Sequence, residues 1–154
     1  MVFTSRNNTS QLAQNRTCIF LAGSMAQESS SNWRKTVVNQ FGDTYHFFVP
    51  THPNHDQTGD DEMKTHIEWE LNGLAKADFI LLNFLADARS PISMVEMGMY
   101  IQSGKLIVVC PKNFYKRRYV ETLCEKYTTP LFNHLDQLLN GALDTIINEK
   151  TQIL

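Results

Sequence analysis

The sequence predicts an α/β protein in which a parallel sheet of five strands is covered by helices on both faces. Short apolar runs rich in β-branched and aromatic residues alternate with longer stretches of helical periodicity, and the connections are short. This alternation indicates a parallel sheet, because parallel strands need a crossover connection that is usually a helix. The 154 residues suffice for one core. We expect a polar arm at residues 1–16 and one domain at residues 17–154.

Composition argues against several function classes. A formal net charge of −2 gives no argument for a nucleic-acid or membrane partner. No run approaches the ~18 apolar residues of a membrane span, and the polar arm lacks the apolar core of a signal peptide. The odd number of cysteines, Cys18, Cys110 and Cys124, favours buried reduced thiols over a disulfide framework. We therefore expect a cytoplasmic protein, and no Cys/His spacing indicates a metal.

The first central strand is predicted at Cys18–Ala22 and is followed directly by Gly23 and Ser24. A glycine at the carboxyl end of a strand lets backbone approach a ligand, and the serine offers a hydroxyl and an amide. The same pair is also an ordinary turn, so the motif alone is weak. A helix ending at Gly42 and a second strand at residues 45–49 follow.

A polar loop of about 10 residues then connects the second strand to the next helix, and loops of this length are often functional. It contains His52, His55 and Asp56, which raises the question of a metal site. Because these residues lack a fixed ligand spacing, we favour a solvated lid over a pocket.

The next helix, at residues 62–75, places a histidine and a carboxylate on one face. His66 and Glu70 lie four residues apart, with Gly73 nearby, so a ligand or the imidazole can lie beside the carboxylate. A third strand at residues 79–85 follows, with Asn83 near its exit.

The most informative stretch is the crossover at residues 90–105, between the third strand and a fourth at residues 106–110. Ser90 is a favourable N-cap and Pro91 suits the first helical position, so the helix should begin there and end at residues 103–104. Within this apolar helix lies a lone carboxylate, Glu96. The carboxyl ends of parallel strands are where open α/β sheets bind ligands, so Glu96 is a candidate catalytic residue.

A basic and aromatic loop at residues 111–118 follows the fourth strand and includes Lys116 and Arg117. It can hold a phosphate or a carboxylate, and the alternative is a solvated loop. Helices at residues 120–127 and 135–147 enclose a short edge strand at residues 130–132.

Four segments resemble the nucleoside 2-deoxyribosyltransferase superfamily, and in particular its nucleoside 2-deoxyribosyltransferase-like branch. They are Ile19-Phe-Leu-Ala-Gly-Ser24, Ile67-Glu-Trp-Glu-Leu71 with Ala77-Asp78, Ser90-Pro-Ile-Ser-Met-Val-Glu-Met-Gly98 and Cys110-Pro-Lys-Asn-Phe114. The resemblance covers roughly residues 18–132. It implies a flavodoxin/Rossmann-like three-layer sandwich and cleavage of the N-glycosidic bond of a (deoxy)nucleoside or nucleotide, with the Glu of Glu-x-Gly as nucleophile.

By this resemblance Glu96 is the nucleophile, and Glu70 binds the base or donates a proton to it. The small-molecule partner is then a nucleoside or nucleotide, and no cofactor is expected. Family members build their sites across subunit contacts, so we also expect a homo-oligomer. The residues expected to bind substrate are Gly23, Ser24, Asn83, Ser90, Ser93, Lys116, Arg117 and Tyr119.

Three departures from the established transferases leave the reaction open. A first-strand tyrosine of those enzymes corresponds to Phe20, an aspartate to Ser90, and an asparagine of close relatives to Tyr119. Hydrolysis is therefore an alternative to transfer between bases. Two further hypotheses are a nucleotide-sensing module that binds ADP-ribose-like or cyclic nucleotides without turnover, and an NAD glycohydrolase.

Overall fold

The computed structural model describes residues 1–5, 16–25, 32–50 and 59–152. Over these residues the chain has an α/β fold with a parallel sheet of six strands. The strands are β1 (Val2–Phe3), β2 (Cys18–Gly23), β3 (His46–Phe48), β4 (Phe79–Asn83), β5 (Leu106–Val109) and β6 (Leu131–Phe132). The helices are α1 (Trp33–Phe41), α2 (Asp60–Lys76), α3 (Pro91–Tyr100), α4 (Arg117–Lys126), α5 (Leu135–Gln137), a π-helical turn (Leu138–Ala142) and α6 (Leu143–Thr151).

The strand order is β1-β3-β2-β4-β5-β6. Without β1, this is the flavodoxin-like order 2-1-3-4-5, which confirms the predicted α/β class with a parallel sheet. The chain leaves β2 for β3 on one side and later returns to β4 on the other. In such sheets the reversal of direction creates a switch point, and ligands bind at the carboxyl ends of the two strands beside it. Here those strands are β2 and β4.

The prediction of five strands is one short of the six that the described residues form. The added strand, β1, contains two residues and pairs parallel with β3, with Val2 opposite Phe47 and Phe3 opposite Phe48. Two residues show no periodicity, and only their pairing with β3 makes them a strand. The rest of the predicted arm lies largely outside the described residues, so the boundary at residue 16 stays a prediction.

Contacts group the described residues into two compact units, with the division falling within β2 and β4. One unit contains residues 1–5, 16–22, 32–50 and 59–81, and the other contains residues 23–25 and 82–152. The first has an aromatic core in which Phe20 stacks on Phe48, with ring centroids 6.2 Å apart, and Trp69 packs against both rings. Gly73 allows this packing, because a Cβ there would lie 2.9 Å from the Phe20 ring.

In the second unit the last helices differ from their predicted bounds. Helix α4 begins at Arg117, three residues before the prediction, and the predicted helix at residues 135–147 is divided by the π-helical turn. The division occurs because Asn140 and Gly141 depart from helical geometry, with Gly141 at φ +108°. That backbone conformation suits glycine, which has no Cβ to clash.

Helix α3 begins at Pro91 as predicted, but it ends at Tyr100 and Ser90 does not cap it through its side chain. Ser90 adopts the left-handed conformation, at φ 50° and ψ 53°, and its hydroxyl is hydrogen-bonded elsewhere. A residue that precedes proline is disfavoured in the right-handed helical region, which is consistent with this entry into the helix.

Candidate functional site

Three predicted site residues meet where β2 and β4 end. Ser24 is buried, and its backbone N–H donates to the carbonyl of Asn83 over 2.9 Å. Its hydroxyl accepts a 2.9 Å hydrogen bond from the N–H of Leu85 and is also hydrogen-bonded to the hydroxyl of Ser90. Ser24 therefore joins the end of β2 to the exit of β4 and to the residue before α3.

Gly23 makes this junction sterically feasible. Its φ of +127° lies in the region that favours glycine, and a Cβ at this position would lie 2.7 Å from the backbone nitrogen of Asn83. The backbone of β4 is what approaches Gly23 closely, and the predicted approach of a ligand to Gly23 stays a prediction. The glycine sets the path of the chain into Ser24.

Glu96 lies in the middle of α3 and is 8% exposed. Ser93, one turn earlier, and Met97, the next residue, are also buried. The side chain of a glutamate in such an environment is largely withdrawn from water, and a carboxylate of this kind can act as a nucleophile or stabilise an adjacent cation. The described contacts confirm the predicted helix but leave the role of Glu96 as a prediction.

Glu70 lies in the first unit, on α2, beside a buried histidine. Nε2 of His66 is 3.3 Å from Oε1 of Glu70, as their spacing of four residues predicted. The imidazole of His66 stacks parallel to the Trp69 ring, with centroids 6.3 Å apart. Burial raises the pKa of the Glu70 carboxyl to about 7, while the positive charge of Arg34 acts in the opposite direction. Near neutral pH, Glu70 can therefore donate or accept a proton.

Arg34, whose positive charge acts on Glu70, is a residue that the sequence analysis did not identify. Its side chain is buried, although arginine is seldom buried without a partner. Nε donates to the carbonyl of Leu21 over 2.9 Å, and the guanidinium carbon lies 4.4 Å from the centroid of the Trp33 ring. The adjacent Trp33 and Arg34 in a short amphipathic helix were the available sequence signal, because arginine commonly stacks on aromatic rings.

The basic residues predicted to bind substrate lie in the second unit, at the start of α4. Arg117 donates to the carbonyl of Cys110 and pairs with Glu121, with Nη2 and Oε1 3.0 Å apart. Nζ of Lys116 lies 5.5 Å from the centroid of the Tyr115 ring, and Tyr119 is exposed. Contacts within the protein therefore hold the Arg117 side chain in place. The predicted roles of Lys116, Arg117 and Tyr119 in substrate binding remain predictions.

The histidines and aspartate considered as metal ligands, His52, His55 and Asp56, lie outside the described residues. Within residues 1–5, 16–25, 32–50 and 59–152, no three His, Cys, Asp or Glu side chains form a candidate metal cluster. In the same part of the chain, no helix has the length and apolar character needed to cross a membrane. The three cysteines are buried free thiols, as predicted.

Comparison with solved structures supports the fold. A crystal structure of a conserved protein from Enterococcus faecalis V583 is similar, with a TM-score of 0.57 at 10% sequence identity. The match covers 81% of this chain and 96% of that one. No curated protein matched the sequence.

Comparison with protein families gives a more specific result. The family model described as nucleoside 2-deoxyribosyltransferase like matches residues 16–114, which is more than half of the chain. The matched region includes the Ser24, Asn83 and Ser90 junction together with Glu70 and Glu96, and it ends within the basic loop. The chain therefore belongs to the nucleoside 2-deoxyribosyltransferase-like family.

Proposed function

We propose that the protein cleaves the N-glycosidic bond of a (deoxy)nucleoside or nucleotide, with Glu96 as the nucleophile and either a second base or water as the acceptor. The observation that carries this proposal is the burial of Glu96 on α3 within the region matched by the family model. Helix α3 follows β4, and β4 borders the switch point where sheets of this order bind ligands.

The proposed reaction has two displacement steps. The Glu96 carboxylate attacks C1′ of the sugar, an ester bond forms, and the bond from C1′ to the base nitrogen breaks with its electron pair leaving on the base. In the second step a nitrogen of another base, or a water oxygen, attacks C1′, the ester bond from C1′ to Glu96 breaks and releases the carboxylate, and the proton of the attacking group passes to the Glu70 carboxylate. Both steps pass through oxocarbenium-like states, which a nearby carboxylate stabilises.

The leaving base needs a proton, and we assign its donation to Glu70. A carboxyl group with a pKa near 7 is protonated in about half of the molecules at neutral pH and can return to that state after each turnover. The His66 ring, 3.3 Å away, limits the orientations of the Glu70 carboxyl. Both features suit a general acid.

The remaining polar residues are proposed to hold the sugar or a 5′-phosphate. Ser93 lies one turn before Glu96 on α3, and the N–H groups of the first turn add a partial positive charge. The hydroxyls of Ser24 and Ser90 are hydrogen-bonded to each other, so substrate binding through them requires their remaining donor or acceptor positions. The assembly into a homo-oligomer stays a prediction.

A binding module without turnover is the second candidate, because Phe20 is fully buried among aromatic rings. It packs against Phe48 and Trp69, so this position supplies no hydroxyl comparable to that of the tyrosine expected by resemblance. A carboxylate nucleophile that lacks this hydroxyl is less well oriented. Tight, stoichiometric ligand binding without product release would favour this candidate.

A chromatographic screen for released base tests the proposal. The full chain is incubated with deoxynucleosides, nucleosides, their 5′-monophosphates and NAD, each with and without a second base. Exchange into a new nucleoside identifies a transferase, release without exchange identifies a glycosidase, and release of nicotinamide identifies an NAD glycohydrolase. Absence of release from every substrate contradicts the proposal and favours the binding module.

Replacement of the nucleophile provides the residue-level test. Glu96→Gln retains the shape of the side chain and removes its charge, so we expect turnover to fall by at least about 1,000-fold. The matched control is Glu125→Gln, which makes the same change at an exposed position on α4 and should leave turnover unchanged. A folded Glu96→Gln protein with full activity would exclude Glu96 as the nucleophile.

A further inference from the structure

A cavity of about 560 Å³ lies between the loop after β5 and the start of α4, entirely within the second unit. This volume is in the range of small-molecule sites in proteins. Its lining combines cationic and aromatic side chains: Lys112, Phe114, Tyr115, Arg117, Arg118 and Glu121.

The charge of the cavity is opposite to that of the chain. Residues 111–118 contain four of the 14 lysines and arginines and no acidic residue, although the formal net charge of the protein is −2. Among the lining side chains, Arg117 and Glu121 form an ion pair, with Nη2 and Oε1 3.0 Å apart, so their charges cancel. Lys112 and Arg118 then give the cavity an excess of two positive charges. Such a surface attracts anions.

Helix α4 adds to this field. It is ten residues long and begins at Arg117, and its first turn contains no acidic residue. The N-terminus of a helix carries a partial positive charge, and its first N–H groups favour anions. The helix therefore reinforces the charge supplied by Lys112 and Arg118.

One wall of the cavity is an aromatic ring held in place. The hydroxyl of Tyr115 donates to the carbonyl of Arg89 over 3.1 Å, while the residue is 55% exposed. The neighbouring Phe114 is buried and packs on Phe84, with ring centroids 4.7 Å apart, which anchors the loop. A fixed and exposed ring beside cations suits a ligand with a planar organic part and a negative charge.

We propose that this cavity binds the phosphate group of a small organic phosphate. Lys112 and Arg118 pair with the phosphate oxygens, and Tyr115 contacts the organic part. Arg117 donates hydrogen bonds to the carbonyl of Cys110 and to the carboxylate of Glu121, and it forms part of the cavity wall. If the bound organic phosphate is the substrate, this proposal rests on the proposed function. Phosphate binding itself requires no turnover and can be tested separately.

Calorimetry at constant ionic strength tests the site, using the full-length Glu96→Gln protein so that no ligand is consumed. The probes are inorganic phosphate, AMP and adenosine. We expect AMP to bind at least tenfold more tightly than adenosine. Inorganic phosphate that binds as tightly as AMP would identify the free ion as the ligand and overturn the role of Tyr115. Equal binding of AMP and adenosine, or binding of neither, overturns the proposal.

Two paired substitutions, each made in the Glu96→Gln protein, locate the binding. Lys112→Ala with Arg118→Ala should weaken AMP binding at least tenfold and leave adenosine binding unchanged. The control, Lys35→Ala with Lys64→Ala, removes the same charge from exposed positions on α1 and α2 and should bind AMP normally. Equal affinity of the two variants for AMP overturns the site. Intact AMP binding with no base release by the wild-type enzyme contradicts the proposed function alone.

Discussion

Nε2 of His66 lies 3.3 Å from Oε1 of Glu70, and burial raises the pKa of that carboxyl to about 7. The opposing influence on this pKa is the positive charge of Arg34, a buried residue of α1. The Glu70 carboxyl is therefore still largely protonated at pH values well above the usual range of glutamate, in spite of the positive charge of Arg34.

The rate of base release should depend on the protonation of Glu70. If its carboxyl donates a proton to the leaving base, kcat/KM should fall as pH rises above about 7, where the group is ionised. Glu70→Gln should lower the rate by about 10² to 10⁴-fold and abolish this alkaline decline. The measurement is a pH profile of both proteins between pH 5 and 9. A Glu70→Gln profile with an unchanged alkaline limb would assign that limb to another group.

Folding stability should also report the shifted pKa of Glu70. Because the pKa in the folded state is about 7 against about 4.5 when unfolded, the folded protein binds more protons between these values. The contribution of Glu70 to the free energy of unfolding is therefore greatest below pH about 4.5 and is lost as pH rises through about 7. Urea denaturation should find Glu70→Gln increasingly stable relative to wild type across this interval, with a constant difference above it. A difference independent of pH would contradict the shift.

Removing the charge of Arg34 should raise the pKa of Glu70 further. Arg34→Met eliminates the positive charge that opposes the effect of burial, whereas Arg34→Lys keeps it. Titration of the Glu70 carboxyl carbon by NMR should give a pKa above about 7 in the methionine variant and a smaller change in the lysine variant. Both variants lose the hydrogen bond from the Arg34 guanidinium to the carbonyl of Leu21. Equal changes of the Glu70 pKa in the two variants would therefore mean that lost packing, and not lost charge, causes the change.

The sequence predicted the sheet because each central strand is a short apolar run between stretches of helical periodicity. Strand β1 was not predicted, because two residues show no periodicity and form a strand only by pairing with β3. The end of α3 was placed too late because residues 101–104 continue the chain in turns after Tyr100. Local propensity thus located the elements, while long-range pairing decided their number.

The sequence predicted the positions of those candidate site residues that belong to recognisable motifs. Glu96 lies on α3, Asn83 ends β4 and Ser24 directly follows β2, and the spacing of His66 and Glu70 predicted their contact. The burial of Arg34 was not foreseen, because it depends on a carbonyl of β2 that only the fold brings within reach. Long-range hydrogen bonds of this kind leave no trace in sequence periodicity.

The three cysteines should be unreactive in the folded protein. All are buried, and burial raises the pKa of the Cys110 thiol to about 11 and that of Cys124 to about 12, while that of Cys18 is also raised. The reactive thiolate is then scarce at neutral pH. A disulfide reagent at pH 7.5 should modify none of them rapidly in the native state and all three in denaturant. Rapid native modification of a single thiol would identify local opening around it.

Gly23 and Gly98 should respond in opposite directions to the same substitution. Gly23→Ala places a methyl group against the backbone of Asn83 at a φ of +127°, so we expect a loss of stability of at least about 2 kcal/mol. Gly98 lies inside α3, where an added Cβ meets no atom within 4 Å, and Gly98→Ala should stabilise the protein by about 0.5–1 kcal/mol. Urea denaturation of both variants measures these changes. Because Ser24 follows Gly23 and bonds to Ser90, a tolerated Gly23→Ala substitution would mean that the junction of β2 and β4 can shift without unfolding the protein.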